Sequence, residues 1–274
     1  MFTPKEIVAN YYEIGARKVS SPAWKQFLLG ILAGFLIGMG LVVANTAGHA
    51  LENASVIRIV SGLLFAFGLG MVILMGAELF TGNCMIPISI LEKKVTMGGM
   101  LRNWLFVYLG NFVGAVALAA GCAFFGQLGL SDGGLAVYTI KVAIAKCSLP
   151  FVNAIVLGIF CNLLVCIGVL GAISAKDTIG KVVGAYLPVA FFVISGFEHS
   201  IANMYGVPAG LFAMGVPAYA SKAAAAGLNT GALSWGSFLV NNLLPVTIGN
   251  IIGGVAVGLL MYFAHAARGS EVKA

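Results

Sequence analysis

Residues 182–195 and 204–214 are almost wholly apolar, yet between them the chain reads Gly196-Phe197-Glu198-His199-Ser200-Ile201-Ala202-Asn203. An ionisable pair in the middle of a membrane-length segment is expensive to hold there and marks a functional site. Gly196 before the pair, with Gly206 and Pro208 after it, are residues at which a transmembrane helix can break while its neighbours satisfy the freed backbone groups. The segment therefore reads as two half-helices meeting near mid-membrane. A soluble core with one satisfied histidine is the competing reading. It fits poorly with a chain that is 60% hydrophobic and 9% charged, with a mean hydropathy of +1.02.

The interruption has a counterpart. Gly76-Ala77-Glu78-Leu79-Phe80-Thr81-Gly82-Asn83 shares Gly, Glu and Asn at the same spacing and lies within an apolar segment, Ile57 to Leu91. Only nine residues are acidic, and two of them occupy matching places in these two interruptions. Paired breaks in corresponding positions of two halves point to the binding site of a transporter.

Six apolar segments are each near or above the ~20 residues that span a bilayer. They run over 26–48, 57–91 (broken at 78–83), 101–126, 150–174, 179–214 (broken at 196–200) and 236–264. Ahead of them, residues 4–19 place Ile7, Val8, Tyr11, Tyr12 and Ile14 near one side of a helix, as an interfacial amphipathic helix does. The first apolar run is too long for a signal-peptide core and is read as the first anchor. With the N-terminus in the cytoplasm, that side holds Lys5, Arg17, Lys18, Lys25, Lys93, Lys94, Arg102, Lys176, Lys181, Arg268 and Lys273, against Arg58, Lys141, Lys146 and Lys222 outside. The excess puts both termini inside, with loop 92–100 cytoplasmic and loop 127–148 outside.

The halves repeat in order. Leu29-Gly30-Ile31 with Leu36 and Gly40 matches Leu157-Gly158-Ile159 with Leu164 and Gly168, and Asn103, Gly110-Asn111 and Gly114 match Asn242, Gly249-Asn250 and Gly253. With three spans per half the second enters from the opposite side, giving an inverted repeat about an axis in the membrane plane. The expected fold class is thus an all-α polytopic membrane protein of six transmembrane segments in a 3+3 inverted repeat, the second and fifth broken. It forms a single transport domain: an N-terminal interfacial helix (1–25), a first repeat (26–126), a second repeat (150–264) and a cytoplasmic tail (265–274).

The GxxxG spacings at Gly30/Gly34/Gly38, Gly110/Gly114 and Gly249/Gly253 serve close helix packing in the bundle. Cys84, Cys122, Cys147, Cys161 and Cys166 form no CxxC pair and mostly sit in apolar runs, where cysteine acts as a small hydrophobe. No disulfide framework, metal site or cofactor is expected. The net charge of +6 is spread over short loops, without the dense basic patch that nucleic acid requires.

The strings MGAELFTG (Met75 to Gly82), GIFCNLLVC (Gly158 to Cys166), SGFEHSIANM (Ser195 to Met204) and NLLPVTIGNIIGG (Asn242 to Gly254) together resemble the formate/nitrite transporter family. The similarity spans residues 5 to 264. Ile167-Gly168 departs from the branched residue and alanine more usual there. The resemblance implies an aquaporin-like protomer in a homopentamer, each copy with its own pore for a small monovalent anion: formate, nitrite or hydrosulfide. It implies that Leu79, Phe80 and Thr81 form an outer constriction and Phe65, Leu69 and Phe192 an inner one. It places Asn162 and His199 on the pore between them, and Lys146 at the outer vestibule. Glu78 and Glu198, with Asn83 and Asn203, are assigned to bracing the two interruptions through loop backbone amides or a neighbouring subunit.

Stripping water from a carboxylate-sized anion costs on the order of 20 kcal/mol in the idealised low-dielectric limit. Half-helix N-termini and the donors Thr81, Asn162 and His199 offset it. His199 titrates near neutrality when unperturbed, so it can pass a proton to the anion, act as a neutral hydrogen-bond donor, or brace the loop. The expected function is a channel or proton-coupled carrier for such an anion in the inner membrane of a prokaryote. A membrane-embedded hydrolase using the Glu/His/Thr cluster is the alternative, against which stand the lack of HExxH, of GxSxG and of a second histidine nearby.

Overall fold

The structure is a computed structural model and describes residues 1–266; Arg268, Lys273 and the expected tail from residue 267 on lie outside the described residues. Helix α1 (Pro4–Ser20) opens with a capping box between Thr3 and Glu6 and a proline in its first turn, the arrangement that satisfies free N-terminal amides. After it come α2 (Ala23–Gly48), α3 (Ala54–Leu74), α4 (Phe80–Leu91, interrupted at residues 84–86), α5 (Met97–Phe124), α6 (Gly134–Cys147) and α7 (Phe151–Ser174). Then follow α8 (Thr178–Ser195), α9 (Ser200–Met214), α10 (Pro217–Ala225) and α11 (Trp235–His265), whose first turns include a π-helical stretch at Phe238–Leu243. Among the described residues six helices are long and apolar enough to cross a membrane: α2, α3, α5, α7, α8 and α11.

Helices α2 and α5 pack face to face, as do α7 and α11. Glycine is obligatory at these crossings: a Cβ on Gly34 would overlap the Asn111 carbonyl, and one on Gly253 the Ile159 carbonyl. A Cβ on Gly30 would lie 2.8 Å from the Val107 oxygen, and one on Gly158 2.8 Å from that of Val246. These are corresponding positions in the two halves. Backbones this close gain dispersion contact that lipid cannot supply.

Two expectations change. Residues 134–147, read as loop, form helix α6. Its buried stripe of Leu135, Ala136, Thr139, Ile140, Ala143 and Cys147 is too short for a span, and Lys141 and Lys146 mask it in sequence. The repeat is also longer than three spans. Lys18 precedes Leu29 by as many residues as Lys146 precedes Leu157, and each lysine pairs with the glutamate of its own half's break, so α1 is the counterpart of α6.

Candidate functional site

Both breaks are built the same way. Helix α3 ends with Gly76 in the left-handed region (φ 61°), its amide on the Ile73 carbonyl at 3.2 Å and that of Ala77 on Val72 at 2.9 Å. Helix α8 ends with Gly196 at φ 76°, its amide on Val193 and that of Phe197 on Phe192, both at 3.0 Å. This double bond with a C′ glycine closes a helix without orphaned carbonyls.

The extended residues that follow need partners, because the bilayer offers none. Glu78 N–H donates to the Leu29 carbonyl at 3.1 Å and Glu198 N–H to that of Leu157 at 3.3 Å. Asn111 donates to the carbonyls of Glu78 and Gly30, both at 2.8 Å, and accepts from Phe80 N–H at 3.0 Å. Asn250 repeats this on Glu198 (3.0 Å), Gly158 (2.8 Å) and Ser200 (2.9 Å). A side-chain amide carries both donor and acceptor and can grip a C=O and an N–H at once. The sequence marked both asparagines by their spacing but gave them no role.

The two carboxylates hold side chains rather than the loop amides expected for them. Glu78 accepts from Lys18 at 3.1 Å and Asn83 at 2.7 Å, and Lys18 also donates to Asn83 at 2.7 Å. Glu198 accepts from Lys146 at 2.6 Å and Asn203 at 2.8 Å. Asn83 and Asn203 each donate onward at 2.9 Å, to Asn103 and Asn242 respectively. An acceptor-only group suits ammonium and amide donors, and each buried carboxylate is thereby charge-compensated. Lys146 is consumed in this pairing. Lys18 was not singled out in sequence, and the signal that finds it is its distance from Leu29.

Between the breaks lies a small chamber of about 10 Å³ lined by Ile37, Phe65, Leu69, Leu79, Val165, Val189, Phe192 and His199. Its volume holds about one water molecule. Leu69 and Leu79 also line a second, open cavity of about 700 Å³ under α1, with Val72, Ile73, Arg17, Lys18, Lys25 and Lys181 among its walls. Phe65 precedes Leu69 on α3, which runs toward the α1 side, and Phe192 sits near the far end of α8, which runs away from it. The constrictions are thus divided differently from expectation. Leu79 belongs with Leu69 on the α1 side, while Phe65 and Phe192, in edge contact at 5.8 Å, close the opposite side. Phe80 is not a chamber residue: it packs between Tyr108 (4.8 Å) and Trp104 (5.8 Å). A constriction depends on which helix face turns inward, and residues adjacent in sequence diverge there.

His199 is the N-cap of α9. Its Nδ1 accepts the Ala202 N–H at 3.1 Å, and its Nε2 lies 2.9 Å from Thr81 Oγ1. A backbone amide only donates, so Nδ1 is unprotonated and the ring's proton sits on Nε2. Phe192 stacks on the imidazole at 5.8 Å. Asn162 is spent as a clamp, its Nδ2 donating to the carbonyls of Asn250 at 2.6 Å and Thr81 at 3.1 Å. Of the four polar pore candidates, His199 alone lines the chamber; Thr81 touches it through His199, and Asn162 and Lys146 stand behind. No cluster suited to a metal ion occurs among the described residues.

Six apolar spans, two matched breaks clamped by Asn111 and Asn250, and an apolar chamber with one polar group define a membrane transport protein. The profile described as "Formate/nitrite transporter" matches residues 5–264, and the chain belongs to that family. A "Probable formate transporter" of Methanothermobacter thermautotrophicus is 37% identical over 95% of this chain and 96% of its own. "Formate channel FocA" of Escherichia coli (strain K12) is 36% identical over 92% and 90%. Among solved structures, one described as "Pentameric formate channel with formate bound" is 36% identical with a TM-score of 0.77, over 89% of this chain and 98% of that one. An "FNT family ion channel" at 28% identity reaches a TM-score of 0.81 over 94% and 98%. The protein is a multi-pass transport protein for small anions and not an enzyme. The hydrolase alternative is set aside.

Proposed function

We propose that the protein passes formate, or a monovalent anion of its size such as nitrite or hydrosulfide, across the cytoplasmic membrane of a prokaryote. Both termini lie in the cytoplasm, and five copies assemble, each with its own conduit. The formate channels named among its relatives and the pentameric neighbour support the substrate and the assembly. The lysine and arginine excess on the α1 side supports the orientation. Leu101, Leu105, Leu109 and Val113 form an exposed apolar stripe on α5 for lipid or a neighbouring copy.

The carrying observation is a chamber of seven apolar side chains and one histidine. The free cations of the open cavity gather anions at its throat. Leu69 and Leu79 then swing aside, because no ion of this size fits a chamber of about 10 Å³. Inside, His199 turns its Nε2–H from Thr81 Oγ1 to the anion, and the freed Thr81 hydroxyl donates as well. These charge-assisted bonds are shorter and stronger than the neutral one they replace.

The tautomer favours donation over proton relay. A neutral imidazole that surrendered its Nε2 proton would become an anion. A relay needs a second proton on Nδ1 first, which breaks the cap on Ala202. Purified protein in liposomes, assayed with formate, nitrite and hydrosulfide alongside a larger organic anion, tests this. Flux of one or more of the three with exclusion of the larger ion is expected, and absence of all three overturns the proposal. Flux strictly coupled to protons and lost in His199→Asn would replace donation with relay.

A further inference from the structure

We propose that Arg58 gathers anions at the mouth facing away from α1, above the Phe65/Phe192 constriction. The inference rests on the anion-transport reading above and adds to it a residue with no counterpart in the other half. Arg58 lies seven residues before Phe65 on one uninterrupted helix. That spacing returns to within about 20° of the same direction, roughly 10 Å along the axis. Phe65 and Leu69 line the chamber and Leu69 and Val72 the cavity under α1, so Arg58 tops the stripe of α3 that follows the conduit.

Its guanidinium lies over the second break, Nη1 standing 2.5 Å from where a Cβ on Gly196 would be. The side chain is exposed, and among the described residues it makes no hydrogen bond or ion pair. The other basic residues of that side differ. Lys146 is neutralised by Glu198 at 2.6 Å and Lys222 by Asp132 at 2.6 Å, while Lys141 is exposed like Arg58 but stands on α6, which contributes no residue to the chamber. The α1 side has unpaired Arg17, Lys25 and Lys181 around its cavity. Arg58 is the cation that gives the opposite mouth the same attraction.

A packing role does not account for it. The helix end is already closed by the Gly196 and Phe197 amides on the Val193 and Phe192 carbonyls, and no hydrogen bond joins Arg58 to it. The equivalent glycine, Gly76, ends α3 in the same way with nothing within 4 Å of its Cβ position. The break forms without a guanidinium over it, and glycine at 196 leaves the room in which Arg58 lies.

The test uses right-side-out vesicles from expressing cells and whichever of formate, nitrite and hydrosulfide the wild type carries best. Initial influx is followed against concentration at low and at high ionic strength. Arg58→Gln should raise the half-saturating concentration about threefold at low salt, and Arg58→Glu more, with the maximal rate kept and the differences gone near 1 M salt, where charges are screened beyond about 3 Å. Arg58→Lys should restore wild-type behaviour. Wild-type values in Arg58→Gln at low salt, or a defect indifferent to salt and to lysine, would overturn the assignment while transport itself stands. A wild type that carries none of the three ions overturns this inference together with the reading it rests on.

Discussion

His199 stands in the second half of the chain where Leu79 stands in the first, and both line the same chamber. The other walls follow the same correspondence, Ile37 with Val165 and Leu69 with Val189, apolar in both halves. The polarity of the conduit therefore comes from one asymmetric position.

Making the chamber symmetric should abolish transport. His199→Leu is expected to fold, with about 1 kcal/mol lost from the α9 cap, and to show no anion flux in liposomes. His199→Asn keeps a capping oxygen and an N–H donor. It should retain anion flux. Wild-type rates in His199→Leu would reduce the histidine to a cap.

The two mouths differ by a second exchange. Phe192 corresponds to Val72 and Phe65 to Ala185, so the aromatic pair lies on one side only and the α1 side opens into its cavity. Phe192→Val should admit a larger monocarboxylate such as lactate, and Val72→Phe should slow formate by narrowing the throat beside Leu69. Unaltered size selectivity in both would mean that these rings pack and do not gate.

Glu198 is 4% exposed and its cation is Lys146. Lys146→Met leaves a buried, uncompensated carboxylate, a change that costs about 3–5 kcal/mol. The double variant Lys146→Met/Glu198→Gln should recover most of the thermal stability in detergent. A double variant no more stable than the single one would show that the pair is not the cause.

Helix α1 roofs the large cavity, and its first turn depends on Glu6. The Thr3 amide and hydroxyl hold the Glu6 carboxyl below its ordinary value of 4.5. A depressed carboxyl contributes its stability above the unfolded value and loses it as pH falls through the lower folded one. Amide exchange at residues 4–9 should accelerate only below that range, and Glu6→Gln should remove the pH dependence. Exchange that quickens already near neutral pH would point to another group.

The apolar run lengths alone determined six spans, because a backbone in lipid must bond to itself and a helix long enough to cross is the local solution. Gly76 and Gly196, with Glu and Asn at matched spacing, located both breaks, since a C′ glycine and a buried carboxylate are properties of short stretches. The strings around them carried the family. What the sequence could not decide was contact between helices. Whether Phe80 or Leu79 faces the conduit depends on the rotation of α4, and the side on which Phe192 closes depends on the direction of α8. That Glu78 takes Lys18 rather than a loop amide depends on α1 folding beneath the bundle. The neutral tautomer of His199 depends on one backbone N–H, that of Ala202, meeting Nδ1. Spacing along the chain fixes which residues can share a helix face, and only the packed helices decide which faces meet.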